Sequence, residues 1–261
     1  MQIAVDDANI DVEIDGNGDA VVLLHGFPLT RAVWELQASH LASHARVIRP
    51  DLRGMGMSSV PDGPYLMETL ASDVAAVLDA LGISRATIVG HSLGGYVAMA
   101  FARMFTERVE RLALICSKLN ADTAQAASAR ELLADKTESS NSIDAVIEEY
   151  LPKLLAPQTL VQIPEIVQHL RGIARQTTPK GAAAMLRGMA QRVPASDIAG
   201  ELTMPVLVVG GGADQSIPAA EYAETAAAFP RGRLQMMNAS GHVPMLEEPD
   251  VLSAALVDFL R

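Results

Sequence analysis

The 261-residue chain contains a single cysteine, Cys116. That excludes an internal disulfide and any metal site built from several thiolates. Cys116 closes the apolar run Leu112-Ala113-Leu114-Ile115-Cys116, which reads as the end of a buried strand. The thiol is therefore expected to be a core group rather than a reactive one. Aromatic residues are also scarce, at 4 % against 49 % hydrophobic residues, so Leu, Val, Ile, Ala and Met must fill the core. No apolar run approaches the ~18 residues of a membrane helix. The opening Met1-Gln2-Ile3-Ala4-Val5-Asp6-Asp7 has neither the basic start nor the apolar stretch of a signal peptide. A soluble cytoplasmic protein is the expectation. Positive charge is in deficit too, with 20 Lys and Arg against 31 Asp and Glu and a net charge of −11. Such a surface repels phosphate backbones, so nucleic acid is not an expected partner.

What the chain does have is alternation. Ala20 to Leu24, Ala86 to Val89 and Pro205 to Val209 are short, largely apolar runs, the pattern of strands buried on both faces, and Val109 to Cys116 reads as another strand. Arg46-Val47-Ile48 and Arg233 to Met237 read as further strands, and Ile10 to Ile14 alternates like a half-exposed one. Helical stretches lie between them: Thr30 to Leu41, Met67 to Leu81, Tyr96 to Phe105, Ala219 to Phe229 and Pro249 to Leu260. This order predicts an α/β fold, a parallel sheet covered on both faces by helices. From about Lys118 to Ile198 the strands stop. Helix-like stretches over Ala124 to Leu133, Ile143 to Leu155, Leu160 to Ala174 and Gly181 to Val193 take their place, punctuated by prolines. We read residues 118–198 as a helical cap inserted into an α/β core of residues 1–117 and 199–261, which suits the chain length.

Gly90-His91-Ser92-Leu93-Gly94 fits Gly-x-Ser-x-Gly. The five-residue pattern is weak alone. It gains meaning because it follows a strand run and opens an apolar helix, as a nucleophile elbow requires. The tight turn needs glycines at its flanks, lifts Ser92 above the strand end, and sets it over a helix N-terminus that favours negative charge. A serine hydroxyl needs a base to take its proton. Of six histidines, His25 and His91 lie inside motifs, His40 and His44 on or after a surface helix, and His169 in the insertion. His242 sits in the loop Asn238-Ala239-Ser240-Gly241-His242-Val243-Pro244, between a strand and the last helix, where Gly241 would let the ring turn inward. The third member should fall between Ser and His in chain order, on a loop at a strand's carboxyl end. Asp214, in Gly210-Gly211-Gly212-Ala213-Asp214-Gln215-Ser216, meets both conditions; the alternative is a carboxylate that only caps a turn. It would hold the His242 tautomer and stabilise the imidazolium. Acyl transfer also needs N–H donors for the developing oxyanion. Leu93 supplies one, and Phe27 in His25-Gly26-Phe27-Pro28 the other, since Pro28 has no N–H.

Together with the loop Asp51-Leu52-Arg53-Gly54-Met55-Gly56-Met57-Ser58, these elements resemble the α/β-hydrolase fold superfamily. The resemblance implies an eight-stranded, mostly parallel sheet, a helical cap, and the backbone N–H groups of Phe27 and Leu93 as oxyanion hole. It also implies a bracing role for His25 and a structural one for the Asp51–Ser58 loop. Members with Asp at the elbow, the haloalkane dehalogenases and epoxide hydrolases, are excluded by Ser92. The groups it is most similar to are bacterial carboxylesterases, 3-oxoadipate enol-lactonase-like enzymes and the cofactor-free haloperoxidases or perhydrolases. The expected activity is hydrolysis of a small carboxylic ester or lactone, with no cofactor and no metal. Perhydrolysis, C–C bond hydrolysis and ligand reception on the same triad are the alternatives. Pro28 resembles the perhydrolase-like members, or it only stiffens the loop. Met185 and Met189 could line a pliable pocket, but helical packing explains their spacing better. Arg171, Arg175, Arg187 and Arg192 could bind a carboxylate, but a solvated helix face is the preferred reading.

Overall fold

Runs of β-branched and leucine side chains have no polar edge to turn to water, so they collect in the middle of a sheet. The computed structural model describes residues 1–261. Its strands are β1 (Gln2–Val5), β2 (Ala8–Asp15), β3 (Ala20–Leu24), β4 (Arg46–Pro50), β5 (Ala86–His91), β6 (Val109–Ile115), β7 (Val206–Gly211) and β8 (Gly232–Met237). They form one sheet in the order β1-β2-β4-β3-β5-β6-β7-β8. β1, β2 and β4 pair antiparallel, and every pair from β4 onward is parallel. All residues of β3, β5 and β7 are buried. β1 escapes a reading from periodicity because its four residues hold only two inward side chains, Ile3 and Val5, before Asp6-Asp7 ends the pattern.

Between the strands lie α1 (Glu35–Leu41), α2 (Met67–Ala80) and α3 (Leu93–Met104). After β6 come α4 (Ala124–Ser140), α5 (Asp144–Leu154), α6 (Pro157–Gln162), α7 (Pro164–Ala174), α8 (Pro179–Ala190) and α9 (Ser196–Ala199). The chain closes with α10 (Ala219–Ala227), α11 (Pro244–Glu247) and α12 (Pro249–Leu260). α2 packs on α3, and α1 on α12. Trp34 and Leu41, at the two ends of α1, are fully buried. The helix expected over Leu160 to Ala174 is two helices. The break falls at Ile163, with φ −129° and ψ 69°, because the residue before Pro164 is pushed out of the helical region. α4 runs on to Ser140, since the residues past Leu133 carry no apolar stripe that periodicity could detect. No helix is long and apolar enough to cross a membrane.

The strand order reverses at β3. Its sequel β4 lies on one side and β5 on the other, and crevices at such a reversal, beyond the carboxyl ends of strands, are where ligands bind in α/β sheets. The loops after β3, β5, β7 and β8 all open there, and the helices between β6 and β7 share a cavity with them. α8 lies close on the core loops: Ala184 O accepts from Tyr65 N–H at 3.1 Å.

Candidate active site

The register Leu24↔Gly90 puts the ends of β3 and β5 side by side. Ser92 stands between β5 and α3 with φ 50° and ψ −111°. A non-glycine residue there stores on the order of 1–3 kcal/mol of strain. Surrounding bonds enforce it: Ser92 N–H donates to Ile115 O at 2.9 Å, and Ser92 O accepts from Gly95 N–H and Ser117 Oγ, each at 2.9 Å. The two glycines of the motif are there for room. A Cβ on Gly90 would lie 2.2 Å from Gly94 O, and one on Gly94 would lie 2.3 Å from Leu24 O.

The structure brings Ser92, His242 and Asp214 into one chain of contacts. His242 Nε2 is 2.9 Å from Ser92 Oγ, and His242 Nδ1 is 2.6 Å from Asp214 Oδ2. A carboxylate only accepts, so Nδ1 carries the proton and Nε2 is left to accept from the serine hydroxyl. Asp214 makes the contacts that both readings of it require. Its Oδ1 caps the turn, accepting from Ser216 N–H at 2.7 Å and Ile217 N–H at 3.2 Å, while Oδ2 faces the imidazole. Tyr222 donates its hydroxyl to the same Oδ2. Burial would raise the Asp214 carboxyl, but the His242 charge and hydrogen bonds from His242, Tyr222 and Ser216 outweigh it, so the group is held below the usual carboxylate range. The Tyr222 phenol is pushed up by burial first and then by its neighbours Cys116 and the Asp214 carboxylate, which keeps it a donor.

Cys116, Asp214 and His242 are the one trio whose ligand atoms lie close enough together to share an ion. Burial raises the Cys116 thiol well above its ordinary value, so it stays protonated and packs as the expected core group.

Contacts that the sequence did not reveal hold the histidine loop. His242 N–H donates to Leu154 O at 2.9 Å. Glu247 accepts from Gly241 N–H on Oε2 at 2.8 Å, and on Oε1 from Ala156 N–H at 2.9 Å and Thr159 Oγ at 2.6 Å. One carboxylate thus ties the histidine loop to the inserted helices. Gly241 was expected to supply a turn, but its φ is not positive. The glycine is needed because a Cβ would lie 2.4 Å from Ala156 N. Nothing in the spacing of Glu247 distinguishes it from a surface acid.

Phe27 and Leu93 are both buried beside Ser92, and the Phe27 N–H has no hydrogen-bond acceptor within the chain. His25 braces that loop: its Nε2 accepts from Leu52 N–H at 3.0 Å, and its Nδ1 is 3.1 Å from Gly26 O. Asp51 accepts from Arg31 N–H at 2.8 Å and Met57 N–H at 2.9 Å, which makes the Asp51–Ser58 loop a structural knot.

A cavity of about 180 Å³ lies between the inserted helices and Ser92, walled by Phe27, Tyr96, Tyr150, Leu154, Ile217 and His242. Met189 lines it, whereas Met185 is fully buried in packing. The arginines divide. Arg187 lies on the surface, paired with Asp135 and Glu138 at 2.8 Å each. Arg192 departs from the solvated face expected of it: its side chain is 4 % exposed and its guanidinium sits 3.8 Å over the Tyr96 ring. Arg130 and Asp122, which no motif marked, also line the cavity.

A model described as the alpha/beta hydrolase family matches residues 21–255. A thermophilic esterase from Thermogutta terrifontis, solved with malate bound, superposes with a TM-score of 0.94 at 34 % identity, over 97 % of this chain and 93 % of that one. The enol-lactonase from Burkholderia xenovorans LB400 superposes with a TM-score of 0.92 at 27 % identity, over 100 % and 99 % of the two chains. The 3-oxoadipate enol-lactonase 2 of Acinetobacter baylyi is 27 % identical over 240 residues, which is 91 % of this chain and 86 % of that one.

Proposed function

Because this chain belongs to the alpha/beta hydrolase family, we propose that it cleaves a small carboxylic ester or lactone through an acyl-Ser92 intermediate. The observation that carries the reading is the contact chain Ser92 Oγ to His242 Nε2 at 2.9 Å and His242 Nδ1 to Asp214 Oδ2 at 2.6 Å. The similarity to an esterase and to two enol-lactonases supports the substrate class.

In this reading His242 takes the Ser92 proton as the oxygen attacks the carbonyl carbon. Asp214 holds the imidazole in the accepting tautomer and balances its charge. The N–H groups of Phe27 and Leu93 receive the oxyanion, a contribution on the order of 10²–10³ in rate per donor. The imidazolium then gives its proton to the leaving alkoxide, or to the alkoxide arm of an opened lactone. Water, deprotonated by His242, attacks the acyl carbon in turn, releases the acid and restores Ser92. Residues 118–198 act as the cap that shapes the cavity. The protein works in the cytoplasm on a free small molecule, with no nucleic acid.

The test is turnover of 4-nitrophenyl acetate and butyrate by the wild type and by Ser92→Ala, with phosphonate labelling followed by mass spectrometry. Loss of turnover in the variant and a label on the Ser92 peptide are expected. Equal rates in the two proteins would overturn the assignment.

A further inference from the structure

The cavity wall carries more positive charge than it balances. Asp122 is the one carboxylate on it, and its side chain is 5 % exposed. It meets Arg130 Nε at 2.5 Å and Arg192 Nη2 at 3.5 Å, so two guanidiniums share one anion. Lys118 also lines the cavity and has neither an ion-pair nor a hydrogen-bond partner in the chain. Two cations, Lys118 and Arg130, thus line the cavity with one anion, and Arg192 draws on that same anion from outside the wall, in a protein whose net charge is −11. An excess of positive charge on a half-buried wall draws a ligand of the opposite sign into the cavity.

The hydrogen-bond inventory points the same way. Arg130 uses Nε on Asp122 and Nη1 on the Tyr150 hydroxyl at 2.6 Å, while its Nη2 has no partner and remains accessible. Tyr150 Oη accepts from Arg130, so its own proton is free to donate. Burial raises that phenol to about 12, which keeps the proton in place at neutral pH. The Tyr150 ring stands edge-on to Phe27, with centroids 5.1 Å apart, so the donor is held against the wall that includes the proposed oxyanion residue. Arg130 Nη2, Tyr150 Oη–H and Lys118 Nζ are three unused donors around one small cavity, and Arg192 backs them through Asp122 and the Tyr96 ring.

We propose that Arg130, Tyr150 and Lys118 form a carboxylate-binding subsite, so that the preferred substrate is a small ester or lactone bearing a free carboxylate away from the scissile carbonyl. The substrate side of this proposal rests on hydrolysis at Ser92; the binding side does not. The subsite makes charge-assisted hydrogen bonds to the carboxylate and leaves the other end of the molecule to Ser92.

Mono-(4-nitrophenyl) glutarate and 4-nitrophenyl valerate share a five-carbon acyl chain and differ in the terminal carboxylate. The wild type should favour the glutarate in kcat/KM by about tenfold or more. Arg130→Gln, Tyr150→Phe and Lys118→Gln should each lower that ratio, the first by about tenfold. Lys118→Gln removes no contact within the chain, so it decides the matter if Arg130→Gln fails to fold. A wild-type ratio of one or less, or a ratio that all folded variants leave within about twofold, overturns the subsite. A separate arm uses glutarate itself: it should raise the Tm of Ser92→Ala and raise it less in Ser92→Ala/Lys118→Gln. No rise in Ser92→Ala overturns the subsite. A rise in a protein whose wild type hydrolyses neither ester supports the subsite and removes the hydrolase reading instead.

Discussion

His91 Nε2 donates to the main-chain carbonyl of His242 at 2.8 Å. The residue before the proposed nucleophile therefore fixes the backbone of the proposed base, 151 positions away. A carbonyl only accepts, so the His91 proton is on Nε2, and Nδ1 is left without a partner. Replacing His91 with Leu strands the His242 carbonyl and frees the loop. We expect kcat on 4-nitrophenyl butyrate to fall by about tenfold to a hundredfold with little change in KM, because a buried polar group left unpaired costs about 1–3 kcal/mol. His91→Gln, which can still donate, should recover part of the loss. Equal kcat in both variants would mean that the donor is irrelevant.

The same ring gives the fold an acid sensitivity. Burial first, and then the neighbouring His242 charge, lower the His91 pKa to about 3, against an ordinary 6.5. Burial likewise lowers His25, with the Asp51 charge opposing. The unfolded chain takes up these protons below the ordinary value and the folded chain does not. The stability is therefore complete above 6.5 and is lost as pH falls toward the lowered value. At pH 5, about 1.5 units down, His91 alone accounts for about 2 kcal/mol. Urea unfolding at about pH 7 and pH 5 should show the wild type losing about that much more than His91→Gln. Asp214 does not interfere, since its depressed carboxyl titrates below 3.8.

Asp214→Asn separates the two duties of that side chain. An asparagine can keep an oxygen on the Ser216 and Ile217 N–H groups, so the turn should persist. Its amide nitrogen then faces His242 Nδ1 as a donor and drives the ring proton to Nε2, where it cannot accept from Ser92. A fall in kcat by about 10³–10⁴ with a Tm within a few degrees of wild type is the expected result. A large fall in Tm with a matching loss of folded protein would show that Asp214 acts mainly as the cap.

The elbow and its partners were legible because each is local. Ser92 sits in five contiguous residues, and Asp214 and His242 lie on loops whose place after β7 and β8 follows from apolar runs a few residues earlier. β1 was not, since two inward side chains make no countable period. The cationic wall was not either. Arg130 and Asp122 belong to a segment with no apolar stripe, and Arg130 meets Tyr150 and Met189 across 20 and 59 positions. Arg192 was misjudged because aromatic stacking and a shared carboxylate hide a guanidinium that sequence pattern assigns to water.

Glu247 offers the last test, because it joins two parts of the chain that lie far apart in sequence. Its oxygens accept from Gly241 in the histidine loop and from Ala156 and Thr159 in the inserted helices. Glu247→Ala strands these donors, and a loss of about 2–4 kcal/mol in urea unfolding is expected. Proteolytic nicking near residues 155–163 should quicken, and kcat should fall as His242 loses its support. The pH response has a definite sign. Burial raises Glu247 above 4.5, with its hydrogen bonds from Thr159, Ala156 and Gly241 opposing. A raised carboxyl lends stability that is full below its ordinary value and lost as pH rises through the folded one. The stability of the wild type relative to Glu247→Gln should therefore decline from about pH 4 to pH 7. A difference that grows over that range would mean that the hydrogen bonds to the ionised form outweigh burial.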